Sequence, residues 1–96
     1  MKLVVSAAAG RDLDSIYDYT RGQWGEEQAD RYVHELWDAF SAVARDPGRG
    51  LPATGSPAGY RRLRQGSHFI FYRIRADVLR VERVLHVRMH AVRHLS

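Results

Sequence analysis

The 96-residue sequence contains no cysteine, which excludes disulfide bonds, thiolate metal sites and cysteine nucleophiles. It also lacks any run close to the ~20 apolar residues that a membrane-spanning helix needs. The opening stretch MKLVVSAAA is too short and becomes polar too soon to form a signal peptide. These absences predict a soluble cytoplasmic protein that has no membrane partner. A chain of this length is expected to form one domain over residues 1–96.

Lysine is almost absent, since fourteen of the fifteen basic residues are arginine. Acidic residues are scarce in the second half: residues 47–96 hold two acids and ten bases, whereas residues 1–46 hold nine acids and five bases. Arginine makes planar, bidentate contacts with carboxylates and phosphates. The second half is therefore expected to meet an acidic partner, either nucleic acid or an acidic protein segment, unless it is only a solvated basic surface.

Two helices are predicted in the first half from the spacing of apolar side chains. The first covers about residues 8–21. The second covers residues 25–45 and has one continuous apolar face, formed by Ala29, Tyr32, Val33, Leu36, Trp37, Phe40, Val43 and Ala44. Both Trp37 and Phe40 are predicted to lie in the core. A short connection around Gly22–Gly25 would join the helices as an antiparallel hairpin.

The remaining segments predict one loop and four strands. All three prolines fall in residues 46–59, DPGRGLPATGSPAG, which indicates a loop. The predicted strands are KLVVS at a sheet edge, then GYRRLRQ, a central SHFIFYRI and VLRVERVLHV. Short connections between the last three imply antiparallel neighbours. The predicted fold is therefore α+β, in the order β-α-α-β-β-β, with a helical hairpin packed on one face of an antiparallel-dominated sheet.

The last predicted strand carries an arginine among apolar side chains. Strict alternation places Leu79, Val81, Leu85 and Val87 on one face together with Arg83. Such an arginine needs a carboxylate or a bound ligand as its partner. His68, at the start of the central strand, is predicted to be hydrogen-bonded within the sheet close to a turn.

Several short motifs occur along the chain in a characteristic order. They are DLDSIYDY, W-G-x-x-Q-A-x-x-Y-x-x-x-L from Trp24 to Leu36, D-P-G-R-G, Y-R-R-L, G-S-H-F-I-F-Y-R and R-V-L-H-x-R-M-x-x-x-R-H-L. In this order they resemble the ParE branch of the ParE/RelE superfamily of bacterial type II toxins, over nearly the whole chain. The sequence departs from that pattern at Arg64-Gln65, where relatives often carry smaller or apolar residues, and at His90, where an acidic residue is common.

The resemblance implies a toxin that inhibits DNA gyrase by binding it and so blocks replication, without active-site chemistry or a cofactor. It also implies an acidic cognate antitoxin that binds DNA through its own N-terminal domain, so that the toxin meets nucleic acid only indirectly. The alternative is a RelE-like, ribosome-dependent mRNA endoribonuclease. Its acid, base and clamping cations would come from Arg61, Arg73, Arg83, His86 and His90. An inert DNA-associated or metal-binding module is a third hypothesis.

His86, His90 and His94 recur every four residues. A zinc site built on this spacing would need all three on one helix, but His86 ends a strand pattern. No metal site is therefore expected, and the spacing is interpreted as coincidental. Basic and C-terminal side chains are predicted instead to bind partner proteins. This set comprises Arg61, Arg62, Arg64, Arg73, Arg83, His86, Arg88, Met89, Arg93 and His94, and the basic residues of the sheet also include Arg75 and Arg80.

Overall fold

The computed structural model describes residues 1–57, 59–89 and 94–95. Its elements are strand β1 (Lys2–Val5), helices α1 (Ala7–Trp24) and α2 (Glu26–Arg45), a 3-10 turn (Pro47–Arg49), and strands β2 (Leu51–Pro52), β3 (Arg61–Gln65), β4 (His68–Arg75) and β5 (Val78–His86). The predicted α+β class and the order of the predicted elements are confirmed. The two-residue strand β2 is an addition, because it lies inside the predicted loop.

A one-residue joint separates the two helices. Ser6 caps α1 by accepting the Ala9 N–H at 2.9 Å. The helix runs to Trp24, past the predicted end at residue 21, because Gly22 fits within it. Gly25 then ends α1 and begins α2 with a φ of 97°, a backbone conformation that glycine adopts without steric strain. Neither α1 nor α2 combines the length and apolar character that crossing a membrane requires.

The five strands form one sheet in the order β1-β5-β4-β3-β2. Strand β1 lies at an edge and pairs parallel to β5, whereas the other pairs are antiparallel. Strand β4 is central, as its apolar and aromatic composition predicts. The antiparallel-dominated sheet is therefore confirmed.

A β-bulge in β5 decides which of its residues face the helices. Phe71 pairs with Arg83 while Tyr72 pairs with Val81, so Glu82 is an extra residue in the strand. Beyond the bulge the alternation changes phase, and Leu85 packs with Phe71 rather than with Val81. The predicted grouping of Leu85 and Arg83 with Val81 was therefore wrong, because strict alternation does not anticipate an extra residue.

The main core lies between the helices and one face of the sheet. Its largest fully buried side chains are Tyr72, Phe40, Leu36, Ile70, Leu79, Val43 and Val81. Trp37 is 43% exposed, so its predicted core position was wrong. The apolar stripe of α2 is wider than the surface that covers it, and the Trp37 ring lies at the margin against Phe40, with centroids 5.2 Å apart.

The opposite side of the sheet, which we call the open face, has a smaller apolar cluster. This cluster consists of Ala53, Tyr60, Phe71 and Leu85, with Phe69 and Leu95 packed against it. The segment around Tyr60 covers part of the open face, and arginine side chains occupy much of the remainder. The two sides of one sheet thus differ in what covers them.

Candidate functional site

Arg83 is paired with a carboxylate, as its position among apolar residues predicts. Its Nε and Nη2 atoms donate to the two Asp12 carboxylate oxygens, each at 2.8 Å, and this contact raises the pKa of Arg83. Asp12 also accepts the Val84 N–H at 2.9 Å, at a part of β5 that extends beyond its pairing with β1. Arg83 Nη1 donates to the His94 carbonyl at 3.1 Å. The guanidinium of Arg83 therefore ties α1 to β5.

Arg61 is also directed into the protein. It pairs across the sheet with Tyr72, a core residue, and its Nη2 donates to the Gly50 carbonyl. Its buried Nε has no hydrogen-bond acceptor within the described part of the chain. Gly50 is required here, because a Cβ atom would lie 2.3 Å from the Tyr72 hydroxyl oxygen. Arg61 therefore supports the segment that leads into β2.

The residues of the ribonuclease alternative do not converge on one site. Arg61 lies on the helix side of the sheet with Tyr72, whereas the next strand carries Arg73 on the open face. Arg83 is engaged by Asp12, and His86 lies at the end of β5. His90 lies outside the described residues. General acid–base cleavage requires these groups within reach of one phosphate, and the described ones are dispersed.

The open face contains a cleft of about 530 Å³. We call it the arginine cleft, and its lining residues are Gly59, Arg73, Ile74, Arg75, Val78, Arg80 and Glu82. Arg73 donates to Glu82 Oε2 from Nε at 3.1 Å and from Nη2 at 2.5 Å, and Arg80 Nε donates to Oε1 at 2.5 Å. Burial opposes ionisation of Glu82, but these hydrogen bonds outweigh it and lower the pKa of the carboxyl.

Aromatic rings support two arginines on the open face. The Arg62 guanidinium carbon lies 4.2 Å from the Phe69 ring centroid, and that of Arg73 lies 4.5 Å from the Tyr60 centroid. Arg64 lies nearby on β3, where its Nε donates to the Gly66 carbonyl at 3.0 Å. The stacked guanidinium groups cover aromatic surface that would otherwise be open to a partner.

A second concave surface lies between the helical hairpin and the ends of β4 and β5. We call it the histidine pocket, and it has a volume of about 570 Å³. It is lined by Ser15, Ile16, Tyr19, Thr20, Trp24, Gln28, Tyr32, Ser67, His68 and His86. Tyr19 and Trp24 are 64% and 60% exposed, with ring centroids 6.4 Å apart. The pocket therefore offers apolar aromatic surface with several polar atoms.

Tyr32 organises the floor of the histidine pocket. Its hydroxyl oxygen lies 2.6 Å from His68 Nδ1 and accepts the Ser67 N–H at 3.1 Å. His68 is hydrogen-bonded near a turn as predicted, but its partner is Tyr32 on α2 and not a group within the sheet. Burial, followed by the effect of neighbouring His86, lowers the pKa of His68 to about 4, so its ring is neutral at neutral pH. The turn itself needs Gly66, whose φ is 59° and whose Cβ would lie 2.7 Å from Tyr32.

The remaining predicted partner residues lie at the end of β5 and beyond it. The His86 ring meets that of His68 edge to face, with centroids 5.5 Å apart, and its Nδ1 accepts the Arg88 N–H at 3.2 Å. Arg88 and Met89 are exposed in a turn closed by the Met89 N–H and the His86 carbonyl. His94 is half-buried. The predicted residue Arg93, like His90, falls outside the described part of the chain.

Three organising residues were not predicted from the sequence: Asp12, Tyr32 as a polar group, and Glu82. Glu82 did carry a signal, because it is one of only two acids among ten bases in residues 47–96. Tyr32 falls within the W-G-x-x-Q-A-x-x-Y motif, but its helical spacing indicated only a core position. Asp12 has no local signal, since its partner Arg83 is 71 positions away.

Comparison with known sequences identifies one family over most of the chain. The family of the ParE toxin of the type II toxin-antitoxin system parDE matches residues 3–91. A "Toxin ParE1" from Caulobacter vibrioides is 44% identical over 92 residues, which cover 96% of this chain and 95% of that protein. A "Toxin ParE1" from Mycobacterium tuberculosis is 39% identical over 95 residues, covering 98% and 97%.

Two solved structures share the fold. A chain of the chromosomal ParDE system from P. aeruginosa superposes with a TM-score of 0.80 at 22% identity, over 92% of this chain and 97% of that one. A chain of the toxin-antitoxin complex RelBE2 from Mycobacterium tuberculosis superposes with a TM-score of 0.68 at 25% identity, over 88% of each chain. Both come from toxin-antitoxin systems, and both confirm the helical hairpin on a mixed sheet.

Proposed function

We propose that this chain, which belongs to the ParE toxin family of type II toxin–antitoxin systems, arrests growth by binding DNA gyrase in the cytoplasm. A cognate acidic antitoxin, which binds DNA through its own N-terminal domain, neutralises it. The observation that carries this proposal is the 44% identity to a Toxin ParE1 along 96% of the chain. Trapping of a gyrase–DNA intermediate is the proposed means by which replication stops.

The disposition of polar groups supports action by binding rather than by catalysis. Arg83 and Arg61 make contacts within the fold, to Asp12 and to the Gly50 carbonyl. His68 Nδ1 lies 2.6 Å from the Tyr32 hydroxyl oxygen, so it too is engaged within the fold. In the described residues, these cations and imidazoles hold the fold together instead of surrounding a common reacting atom.

We place the main protein-binding surface at the histidine pocket. Protein interfaces are anchored by buried aromatic and apolar side chains, and Trp is enriched among those that contribute most. Trp24 and Tyr19 are exposed beside this pocket, and His86 lines it. Met89, which is 44% exposed, lies three residues beyond His86. His86 and Met89 belong to the partner-binding set predicted from the sequence.

The other members of that set remain proposed contacts. Arg62, Arg64, Arg73, Arg88, Arg93 and His94 are retained as candidates. Arg61 and Arg83 are the weakest members, because their guanidinium groups already contact Gly50 and Asp12. Substituting either would disturb the fold before it revealed any role in binding.

A supercoiling assay tests the proposal. Purified protein is titrated into DNA gyrase, relaxed plasmid and ATP, and the products are resolved on a gel. We expect loss of supercoiling and accumulation of cleaved plasmid. Trp24→Ala should weaken inhibition by about ten-fold or more, as removal of an anchoring tryptophan does. Trp37→Ala is the matched control, because Trp37 is exposed on α2 but does not line the histidine pocket.

Two outcomes would count against the proposal. Normal supercoiling in the presence of excess folded protein would remove gyrase as the target. Ribosome-dependent mRNA cleavage that His86→Ala abolishes would establish the endoribonuclease alternative instead. Coexpression with the cognate antitoxin should restore growth under either mechanism, so it tests neutralisation alone.

A further inference from the structure

Three guanidinium groups and one carboxylate meet in the arginine cleft. Arg73 and Arg80 face each other across β4 and β5, and Arg75 lies beyond Arg73 near the turn between these strands. The only acid lining the cleft is Glu82. The cleft therefore has a formal net charge of +2, on the half of the chain that carries most of the positive charge. Its field favours anions.

Glu82 accepts hydrogen bonds from some of the N–H groups of Arg73 and Arg80. The other N–H groups of these arginines face solvent. Arg73 and Arg80 both contact the carboxylate of Glu82, and the Glu82 side chain is only 11% exposed. Their own side chains are 41% and 52% exposed. A guanidinium has five N–H donors, and Glu82 receives two from Arg73 and one from Arg80. Arg75 has no carboxylate partner within the described part of the chain.

Positive charge continues from the cleft onto β3. The guanidinium of Arg62 lies over the Phe69 ring, and that of Arg73 lies over the Tyr60 ring. Each ring restrains the guanidinium above it, and the N–H donors that make no contact within the fold can bind an anion. The basic surface therefore spans three neighbouring strands and is partly immobilised before any ligand arrives.

The centre of this surface lacks exposed apolar anchors, although Arg62 and Arg73 stay candidates for contact with a partner protein. Arginine is enriched in protein interfaces, but their centres are otherwise depleted in charge and contain aromatic or apolar anchors. Here the aromatic rings of Phe69 and Tyr60 are already covered by Arg62 and Arg73. A phosphate backbone needs no apolar anchor, and arginine is the side chain that binds it bidentately.

We propose that the arginine cleft binds the phosphate backbone of nucleic acid directly. This differs from the expectation that nucleic acid is met only through antitoxin or gyrase. Glu82 orients Arg73 and Arg80, and incoming phosphates bind to the outward N–H donors of these arginines and to Arg75. The binding depends on backbone charge and not on base sequence, because the donors lie on a sheet surface with no element that enters a groove.

Fluorescence anisotropy with the whole protein and labelled DNA of random sequence tests this proposal. Affinity should fall linearly with salt on logarithmic axes, as counterion release requires. Arg75→Ala should reduce the slope by about 0.9, the value for one lost phosphate contact on a duplex. Glu82→Gln should tighten binding by roughly five-fold, because it removes a charge that repels phosphate while keeping a side chain of similar shape.

Arg21→Ala and Arg31→Ala are the matched controls. Each removes one positive charge from an exposed helical arginine that pairs only weakly with a neighbouring acid, at 3.8 Å. We expect both to leave the salt slope unchanged. Circular dichroism of every variant separates loss of folding from loss of binding.

Three results would overturn the proposal. One is the absence of salt-sensitive DNA binding. Another is an equal change in the salt slope for Arg21→Ala and Arg75→Ala, which would show that DNA binding depends only on the overall charge of the protein. The third is tighter binding of poly-glutamate than of DNA at the same ionic strength, which would make the cleft a site for acidic peptides. The anisotropy measurement contains no gyrase, so a negative result leaves the gyrase proposal intact. A negative supercoiling assay likewise leaves the phosphate-binding proposal intact.

Discussion

The two faces of the sheet are built from one set of strands but are covered in different ways. On the helix side, α1 and α2 bury Phe40, Tyr72 and Val81 completely. On the open face, Phe69 lies beneath the guanidinium of Arg62 and remains partly accessible. One face gains stability from apolar burial, whereas the other keeps charge at the surface above a thin apolar layer. Apolar burial is thereby concentrated on the helix side, and exposed positive charge on the open face.

The bulge at Glu82 maintains this division along β5. Without the extra residue, Leu79 and Val81 would be in phase with Arg83 instead of Val84. With it, Val84 joins the helix-side core, and Arg83 stays with Leu85 on the side of Phe71. The same residue then supplies the carboxylate of the arginine cleft. A single position therefore affects both the core and the proposed phosphate-binding surface.

The largest expected effect compares the two faces directly. Phe40→Ala should lower the free energy of unfolding by about 3–5 kcal/mol, because Phe40 is fully buried between helix and sheet. Phe69→Ala should cost about 1–2 kcal/mol, since its ring is only partly buried beneath Arg62. Urea denaturation monitored by circular dichroism measures both. Equal losses would show that the open face contributes as much to stability as the main core.

A second prediction concerns the edge of β5, where the two faces meet. Asp12→Ala leaves the half-buried Arg83 without its carboxylate and the Val84 N–H without its acceptor. We expect a loss of about 2–4 kcal/mol in the free energy of unfolding. Asp14→Ala, at an exposed position of the same helix, is the control and should change stability by less than about 0.5 kcal/mol. Similar values for the two variants would contradict an anchoring role for Asp12.

The third prediction tests the contact between the β3–β4 turn and α2. Gly66→Ala should cost about 2–3 kcal/mol, because φ is 59° and the added Cβ would lie 2.7 Å from Tyr32. Gly55→Ala also has a positive φ, 82°, but its Cβ would meet nothing within 4 Å. It should cost only about 1 kcal/mol of backbone strain. The difference in melting temperature between the two variants measures the cost of the steric clash with Tyr32. An equal shift in both variants would contradict such a clash.

The last prediction concerns pH. The folded-state pKa of His68, about 4, lies below its ordinary value of 6.5, so the unfolded chain binds this proton more readily. The stability contributed by neutral His68 is therefore complete above pH 6.5 and is lost as pH falls toward 4. His68→Asn should flatten the pH dependence of the unfolding free energy in that window. An unchanged slope in His68→Asn would contradict this assignment.

Local patterns in the sequence were sufficient to predict both helices and the order of the strands. Helical periodicity identified α2, and aromatic and β-branched content identified β4 as central. Trp37 was misplaced, because periodicity gives the direction of a side chain but not the extent of the surface that covers it. The two-residue β2 was missed because pairing with β3, rather than the propensity of Leu51 and Pro52, makes it a strand.

The candidate sites were less accessible from sequence, because their contacts join distant residues. Charge asymmetry identified the basic half and its arginines, and the need of Arg83 for a partner was correctly inferred. The identity of that partner, Asp12, depends on how α1 crosses the sheet. The histidine pocket combines Trp24 from the hairpin with His68 and His86 from the sheet. No spacing rule brings these residues together.

The parallel pairing of β1 with β5 has a consequence for the order of folding. Ser6, directly after β1, donates its hydroxyl to the Glu82 carbonyl, 76 positions away. Contacts of such separation form late, since a long loop must close before they contribute stability. The helical hairpin precedes β3, β4 and β5 along the chain, so it is synthesised before most of the strands that cover its apolar stripe. The histidine pocket and the arginine cleft both include residues of β5, so neither can be complete before that strand has been synthesised.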